Sequence, residues 1–280
     1  MTTVTAAERP GWGFEEGDEL VPGRTVLDTL GGGSRYEALL VWDERRHALM
    51  VAKVLRPHLV DDARAVLDLA AEAEALETLQ HPILLRGFEA VLEGDRPHLL
   101  VEHLEGPTLR WVIRRTGPLG LDQTLPLALH LASALHYLHG EGWVHLDVKP
   151  DNVILGVPPR LIDLSVARPL EAAALIGSTI GTDGYMAPEQ RDPGAHPGAI
   201  GPAADVYGLG VTLRRAWTGH RRAELPAHTP DALALVIEAA LEPEPASRPT
   251  PAEIVTTLEP LVAALPRKLT LTRGRMRPVL

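Results

Sequence analysis

Cysteine is absent from this 280-residue chain, and lysine and asparagine are nearly absent. The lack of cysteine excludes disulfides and any chemistry that needs a thiolate as nucleophile or metal ligand. Of 27 basic residues only Lys53, Lys149 and Lys268 are lysines, and Asn152 is the single asparagine. Because the chain uses arginine for nearly all its other positive charges, these few residues indicate positions with a specific chemical demand.

The chain also lacks a long membrane-spanning run and an excess of positive charge. Its longest uncharged stretch, 123–140, carries Pro126 and three histidines, which is typical of a buried helix rather than a membrane span. The net charge of −10 argues against a general nucleic-acid binder. The acidic start, residues 1–22, has no apolar signal core. Together with the missing cysteines, this start leads us to expect a cytoplasmic protein.

The charge is nevertheless uneven along the chain. The last residues, 267–280, contain five basic side chains and no acidic one. Two interpretations remain open for this basic tail: a solvated end, or a segment that docks on an acidic surface of a partner or of the chain itself.

Hydrophobic periodicity divides the chain into a strand-rich and a helix-rich part. Alternating segments predict strands between residues 24 and 55, near 86–92 and near 98–103, with a helix over 61–79 capped by Asp61. Short strands are expected around 153–163, and further helices at 108–115, 122–140, 203–217, 231–241 and 251–264. This order predicts an α+β fold in two lobes joined near 102–106. The expected divisions are 1–22 (acidic extension), 23–103 (small lobe), 104–266 (large lobe) and 267–280 (basic tail).

One short stretch, "WVHLDVKPDNVIL" at 143–155, combines an imidazole, two carboxylates, an ammonium and a carboxamide between apolar flanks. A simple turn is one reading, since Pro-Asp-Asn is favourable turn chemistry. A turn explains Asp151 and Asn152 but neither Lys149 nor the apolar flanks.

Lys53 presents a similar problem on a strand. Val51, Lys53 and Leu55 share one strand face, where an unpaired ammonium would be costly. A lysine that extends to solvent is one alternative. The other is a carboxylate partner on the following helix, for which Glu72 and Glu74 compete.

Read together, these segments resemble the protein kinase superfamily, closest to its bacterial Ser/Thr branch. "VHLDVKPDNVIL" resembles the catalytic loop, "LIDLSVAR" the metal-binding triplet, and "GTDGYMAPEQ" the end of the activation segment. "MVAKVL" is similar to the strand that bears the nucleotide lysine. "AADVYGLGVTL" and "EPEPASRPTPAEI" resemble two helices of the large lobe. The resemblance covers residues 24–265 and implies the two-lobed protein kinase fold.

The resemblance also implies a role for each polar residue. Asp147 would accept or orient the proton of the attacking hydroxyl, and Lys149 would place a positive charge near the transferred phosphoryl group. Asn152 and Asp163 would bind Mg²⁺, or Mn²⁺ in its place, through hard oxygen atoms. Counted back from His81-Pro82, the family spacing selects Glu72 as the partner of Lys53.

For ATP itself, the resemblance implies a glycine loop and an adenine slot. Gly31 and Gly33 match the first two loop glycines, which let backbone N–H groups approach phosphate oxygens, whereas the third position is Tyr36. The remaining residues implied to contact the nucleotide are Ala38, Val51, Glu102, His103, Leu104 and Ile154. Leu164, Thr182 and the pair Glu189–Arg248 are implied to organise the activation segment.

The chain departs from the family pattern in four places. Leu146 replaces the arginine that precedes the catalytic aspartate and binds an activation-segment phosphate, so we predict that activity does not depend on phosphorylation of Ser178, Thr179 or Thr182. The metal triplet ends in Ser165, which restricts its backbone more than glycine would.

The other two departures concern the substrates. At two positions that contact adenine, the family usually has valine and then alanine, whereas this chain has Ala38 and Val51. The exchange keeps the total side-chain volume, so we predict that ATP still fits. The segment from Thr218 to Arg248 is short, so a helix that commonly helps to dock protein substrates is predicted to be missing or reduced.

Three functions are compatible with this pattern. The first is a Ser/Thr protein kinase that transfers the ATP γ-phosphoryl group to a protein hydroxyl. The second is a catalytically silent kinase-like module that binds nucleotide or acts as a scaffold, and the third is a small-molecule phosphotransferase. The retained lysines, aspartates and single asparagine favour the first, and "GTDGYMAPEQ" disfavours the third because that segment shapes a peptide site.

Overall fold

The structure, a computed structural model, describes residues 11–196 and 198–266. Lys268, the basic tail at 267–280 and residues 1–10 of the acidic extension therefore lie outside the described residues. Within the described part of the chain, no helix is long and apolar enough to cross a membrane.

The small lobe is built on one antiparallel sheet and one long helix. The sheet has the strand order β1-β2-β3-β4-β6-β5, and the helix α1 lies between β4 and β5 in the chain. Asp62, not Asp61 as predicted, caps α1, because its carboxylate accepts hydrogen bonds from the amides of Arg64 and Ala65. These elements are β1 (Glu19–Val21), β2 (Arg24–Gly32), β3 (Tyr36–Asp43), β4 (Ala48–Leu55), α1 (Ala63–Thr78), β5 (Gly87–Val91) and β6 (His98–Glu102).

Both faces of this sheet are covered. Leu39, Val41, Ala52 and Val54 alternate along β3 and β4 to form an outer core, against which Trp12 and Phe14 pack. The intervening residues, among them Lys53, face inward towards α1 and the second lobe. Residues 19–21, assigned to the extension from the sequence, form the strand β1 that pairs with β2.

The large lobe is mainly helical. The buried helix α3 lies at its centre and packs against α6 and α8. The helices of this lobe are α2 (Leu109–Thr116), α3 (Leu121–Gly140), α4 (Leu170–Ala173), α5 (Pro188–Arg191), α6 (Pro202–Thr218), α7 (Asp231–Ala240) and α8 (Pro251–Ala263). Two short antiparallel strand pairs complete it: β7 (Trp143–Val144) with β10 (Arg168–Pro169), and β8 (Val153–Ile154) with β9 (Arg160–Leu161).

This arrangement confirms the predicted two-lobed α+β fold. β6 ends at Glu102, and the chain then crosses into the large lobe, where the Thr108 side chain caps α2. Residues 219–230, all described, contain no helix, as the short sequence between α6 and α7 predicted. The crevice between the lobes is therefore bordered by β2–β4 and α1 on one side and by the 143–165 segment on the other.

Candidate active site

Lys53 and Asp163, separated by 110 residues in the chain, meet in the crevice between the lobes. The Lys53 Nζ atom lies 2.8 and 2.7 Å from the two carboxylate oxygens of Glu72 and 2.9 Å from Asp163 Oδ1. Glu74, the competing partner, is exposed to solvent. The partner selected by spacing, Glu72, is therefore the one that the structure brings to Lys53.

Electrostatics keep Lys53 and Asp163 ionised. Burial disfavours the Lys53 ammonium, but the adjacent carboxylates of Glu72 and Asp163 outweigh burial and hold the pKa of Lys53 above its ordinary value. Burial likewise disfavours the Asp163 carboxylate, yet the charge and hydrogen bond of Lys53 hold the pKa of Asp163 well below its usual range. A permanently charged ammonium and carboxylate thus face the crevice at neutral pH.

A second polar group surrounds Asp147. Lys149 Nζ donates to Asp147 Oδ2 at 2.6 Å and to Thr182 Oγ1 at 2.6 Å. The Asn152 amide nitrogen donates to the Asp147 carbonyl at 3.0 Å and to Asp147 Oδ2 at 3.3 Å. The other oxygen, Asp147 Oδ1, is buried and has no hydrogen-bond partner in the described part of the chain. Because a buried acceptor without a partner costs free energy, Asp147 Oδ1 is available to accept a hydrogen bond from an incoming hydroxyl.

The backbone of this loop depends on Asp205, which the sequence reading did not single out. Asp205, buried on α6, accepts hydrogen bonds from the amides of His145 at 2.8 Å and Leu146 at 2.6 Å, and pairs with His139 Nε2 at 2.9 Å. Leu146 has the unfavourable φ of 64° for a branched side chain. The carboxylate therefore stabilises a strained turn directly before Asp147. Its sequence signal was a lone acid in the first turn of a helix, followed by eight residues without charge.

The inner face of β3 and β4 forms the small-lobe side of the crevice. Ala38 pairs directly with Lys53, and Val51 lies diagonally on the same face, so the two exchanged positions are neighbours. Tyr36 lies two residues before Ala38 on this face, with its ring centroid 4.6 Å from Lys53 Nζ. Burial raises the pKa of the Tyr36 phenol to about 12. The residue at the third glycine position is therefore a neutral aromatic that packs on the ammonium.

The crevice is also bordered by Gly31 and Gly33 and by the connection between the lobes. Gly31 has a φ of 119°, which side-chain-bearing residues rarely adopt, whereas Gly33 has no such requirement. At the lobe connection the Glu102 carboxylate binds the Arg86 amide at 2.7 Å and the Arg160 guanidinium. His103 and Leu104 follow it and are partly buried, as is Ile154 on β8.

The donor set of the crevice suits a divalent cation. Asp163 uses Oδ1 for Lys53, and Asn152 uses its amide nitrogen for Asp147, so the hydrogen bonds of the described residues leave Asp163 Oδ2 and Asn152 Oδ1 available. One anionic and one neutral oxygen are hard ligands of the kind that Mg²⁺ and Mn²⁺ prefer. Asp163 has a φ of 68°, a strained conformation of the kind found at ligand sites.

The activation segment is anchored by a buried ion pair and by apolar packing. Arg248 donates to both oxygens of Glu189, at 2.6 and 2.9 Å, and neither side chain is exposed to solvent. Gln190 donates to the carbonyls of Leu146 and Ile180 and so ties the segment to the catalytic turn. Leu164, at the phenylalanine position of the metal triplet, is fully buried in the main core.

The fold has two lobes, and the crevice between them holds the Lys53–Glu72 pair and the carboxylates of Asp147 and Asp163. These features together are typical of phosphotransferases of the protein kinase type. The family model described as protein kinase domain matches residues 24–229. The chain therefore belongs to the protein kinase domain family, as its motifs predicted, and the family implies the use of ATP and a divalent metal ion.

Curated relatives agree with this assignment. The chain is similar to the probable serine/threonine-protein kinase PkwA of Thermomonospora curvata, with 32% identity over 261 residues, 85% of this chain and 34% of that protein. It is also similar to the serine/threonine-protein kinase PkaA of Streptomyces coelicolor, with 33% identity over 222 residues, 71% of this chain and 40% of that protein. PknB of Mycobacterium leprae is 30% identical over 201 residues, 69% of this chain and 32% of that protein. The chain thus spans a third to two fifths of the curated relatives it matches.

Proposed function

We propose that this chain is a Ser/Thr protein kinase that transfers the γ-phosphoryl group of ATP to a hydroxyl of a protein. The observation that supports this most strongly is the convergence of Lys53, Glu72 and Asp163 beside the group formed by Asp147, Lys149 and Asn152. Phosphoryl transfer depends on positioning and charge stabilisation, and this arrangement supplies both. Because ATP is a cytoplasmic co-substrate, we expect the domain to act in the cytoplasm.

Each side chain has a distinct part in this reaction. Asp147 Oδ1, unpaired and buried, accepts the hydrogen of the substrate hydroxyl and orients its oxygen for attack. Lys149, already bonded to Asp147 Oδ2, presents its ammonium to the γ-phosphoryl oxygens as negative charge develops there. Lys53 binds phosphate oxygens of ATP while Glu72 holds it in place.

The cation we propose is Mg²⁺, with Mn²⁺ as a substitute. Asn152 Oδ1 and Asp163 Oδ2 would hold it, because both are hard oxygens that the surrounding hydrogen bonds leave available. When bound, the ion neutralises charge on the triphosphate and orients the γ-phosphoryl group for in-line attack. The nucleotide would contact Gly31, Gly33, Ala38, Val51, Ile154 and the connection at 102–104.

Transfer of labelled phosphate tests the proposal directly. The purified chain is incubated with γ-labelled ATP, Mg²⁺ and a protein acceptor, and the product is hydrolysed to identify the phosphorylated amino acid. We expect phosphoserine or phosphothreonine, lost in Asp147→Asn and Lys53→Ala but retained in Arg45→Ala, an exposed arginine of the small lobe. Transfer that survives both crevice substitutions contradicts these roles. ATP binding with no transfer under any condition would instead indicate the silent module.

A further inference from the structure

A groove of about 960 Å³ opens in the large lobe beside Lys149 and Thr182. Its walls come from α2, from the segment after Thr182, from the end of α6 and from the loop that follows α6. This loop occupies the place of the missing helix between α6 and α7. The groove is continuous with the proposed acceptor site, because Lys149 both lines it and binds Asp147.

Positive side chains dominate this groove although the whole chain carries a net charge of −10. The two acids on its wall are Asp151 and Asp183. Asp151 is already paired, since Arg110 Nη1 lies 2.7 Å from its carboxylate. The basic residues that line the groove are Arg110, Arg114, Lys149, Arg215, Arg221 and Arg222.

Four of these arginines have no acidic partner of their own. Among the described residues, no carboxylate lies within salt-bridge distance of Arg114, Arg215, Arg221 or Arg222. Their guanidinium groups are therefore available to an anionic ligand, and a guanidinium recognises carboxylates and phosphates through paired hydrogen bonds.

Two of the arginines are also held close to the acceptor side of the groove. Arg215 Nη1 donates to the Tyr185 hydroxyl, and the Arg221 guanidinium lies against Gly184, where an added Cβ would come within 2.7 Å of Arg221 Cζ. A side chain at position 184 would therefore displace Arg221. Both arginines are thus partly ordered beside the segment that contains Thr182.

We propose that the groove selects protein segments in which the acceptor Ser or Thr is flanked by anionic side chains, either Asp and Glu or phosphorylated residues. The proposal rests on the proposed kinase function and adds the substrate class. Of the two acids on the groove wall, Asp151 is paired with Arg110, and the remaining groove cations outnumber Asp183 and would repel lysine and arginine. The arginines bind the anionic side chains that flank the acceptor, and Asp147 orients the acceptor hydroxyl.

The test compares three peptides that differ only around one threonine: flanked by Glu, by Gln or by Lys. Equilibrium binding is measured by fluorescence anisotropy, and phosphorylation by kcat/KM in the same buffer. Partly exposed charge pairs each change affinity by roughly 1.4- to 5-fold, so three or four pairs predict an acidic-to-neutral ratio on the order of tenfold. The ratio should shrink as salt is raised, because exposed charges are screened.

Charge reversal in the groove provides the matched variants. Arg114→Glu with Arg222→Glu, both exposed, should abolish the preference for the Glu peptide and improve binding of the Lys peptide. Arg45→Glu makes the same kind of charge change on an exposed turn of the small lobe and should leave the ratio unchanged. A fourth peptide with phosphoserine in place of Glu distinguishes phosphate from carboxylate as the preferred anion.

The two readouts separate this proposal from the kinase function. Equal binding of the Glu, Gln and Lys peptides, or a preference that the double variant does not alter, overturns the groove assignment even if threonine is phosphorylated. Preferential binding of the Glu or phosphoserine peptide supports it even if no phosphate is transferred, in which case the kinase function alone fails.

Discussion

At the scale of single residues, the account depends on a chain of short hydrogen bonds from Thr182 through Lys149 to Asp147. Both bonds of the Lys149 ammonium are 2.6 Å long, and Lys149 is mostly buried. Thr182 comes from the activation segment, whereas the other two residues come from the catalytic loop. The position of the segment is therefore linked directly to the position of the Lys149 ammonium.

Removal of the Thr182 hydroxyl tests this link. Hydrogen bonds to charged groups contribute about 1.5–3 kcal/mol, so we expect Thr182→Ala to lower kcat roughly 10- to 100-fold and Thr182→Ser to restore most of it. Steady-state kinetics with a fixed peptide measure the effect. If the Ser and Ala variants are equally impaired, the hydroxyl does not position Lys149.

His98 supports a pH prediction for the small lobe. It is fully buried, its Nδ1 lies 2.7 Å from the Arg96 carbonyl, and its Nε2 lies 2.8 Å from Arg24 Nη1. Burial lowers the pKa of His98, so the neutral ring is the native form, accepting at Nε2 from Arg24. The unfolded chain, with an ordinary histidine pKa near 6.5, then binds more protons than the native state below that pH.

Stability should therefore fall as the pH drops below about 6.5, by up to about 1.4 kcal/mol per pH unit from this residue. We expect the free energy of unfolding to decline more steeply between pH 7.5 and 5.5 in the wild type than in His98→Gln, as measured by urea denaturation. Asp43 and Glu89, the carboxylates that bind Arg24, titrate in both proteins and cancel in the comparison. Parallel slopes for the two proteins would refute the assignment.

At the scale of elements, the activation segment is docked without a phosphate-binding arginine. Leu146, which stands in that arginine's position, is buried with Ala173, Ala187, Ile200 and Ala204, and Ile176 and Ile180 pack against this cluster. Apolar contacts thus link the catalytic loop to the segment. Ser178 and Thr179, the exposed hydroxyls between those isoleucines, are outside the cluster.

Activity should accordingly be independent of phosphate on the segment. We expect the Ser178→Ala, Thr179→Ala double variant and phosphatase-treated wild type to keep the kcat of the untreated protein, with phosphate content followed by mass spectrometry. Thr182 is left intact because it contacts Lys149. A loss of turnover that follows the loss of phosphate would show that a charge, not the apolar cluster, orders the segment.

The Glu189–Arg248 pair connects α5 to the chain preceding α8. Because both side chains are fully buried, removing one charge leaves the other unpaired, and we expect Glu189→Gln to cost about 3–5 kcal/mol of stability. Arg248 also donates to the carbonyls of Glu242, Ala203 and Pro243, so substitution of the arginine would be less selective. Urea denaturation followed by circular dichroism measures the change.

The control is Glu171→Gln, an exposed glutamate on α4. A loss of stability in Glu189→Gln no larger than in this control would mean that the buried pair does not tie the segment to the lobe.

At the scale of the whole molecule, the sequence predicted the architecture and the partner of Lys53 within the small lobe. That partner was predictable because an ammonium on an apolar strand face demands a carboxylate, and the family spacing to His81-Pro82 distinguished Glu72 from Glu74. The role of Asp205 was not predictable, because the backbone amides that donate to its carboxylate lie 59 and 60 residues away in the chain. Periodicity carries no information about such long-range backbone contacts.

The start of the fold was also hidden from the sequence. β1 has only three residues, too few for alternation to be visible, and residues 11–21 are held by specific contacts instead. The Trp12 indole donates to the Leu55 carbonyl at 2.8 Å, and its amide lies 3.2 Å from the Glu37 carboxylate. The arginine groove was equally unpredictable, because its residues come from four separate segments that only the folded chain brings together.

The most direct test of the central claim separates nucleotide binding from phosphoryl transfer. The Kd for ATP with Mg²⁺ and the single-turnover transfer rate to a peptide threonine are measured side by side in the wild type and in Asp147→Asn. Because we propose that Asp147 acts on the acceptor hydroxyl, the variant should bind ATP about as tightly as the wild type and transfer phosphate roughly 10²–10⁴-fold more slowly. A wild-type transfer rate in Asp147→Asn, or an equal loss of binding and transfer, would contradict the account.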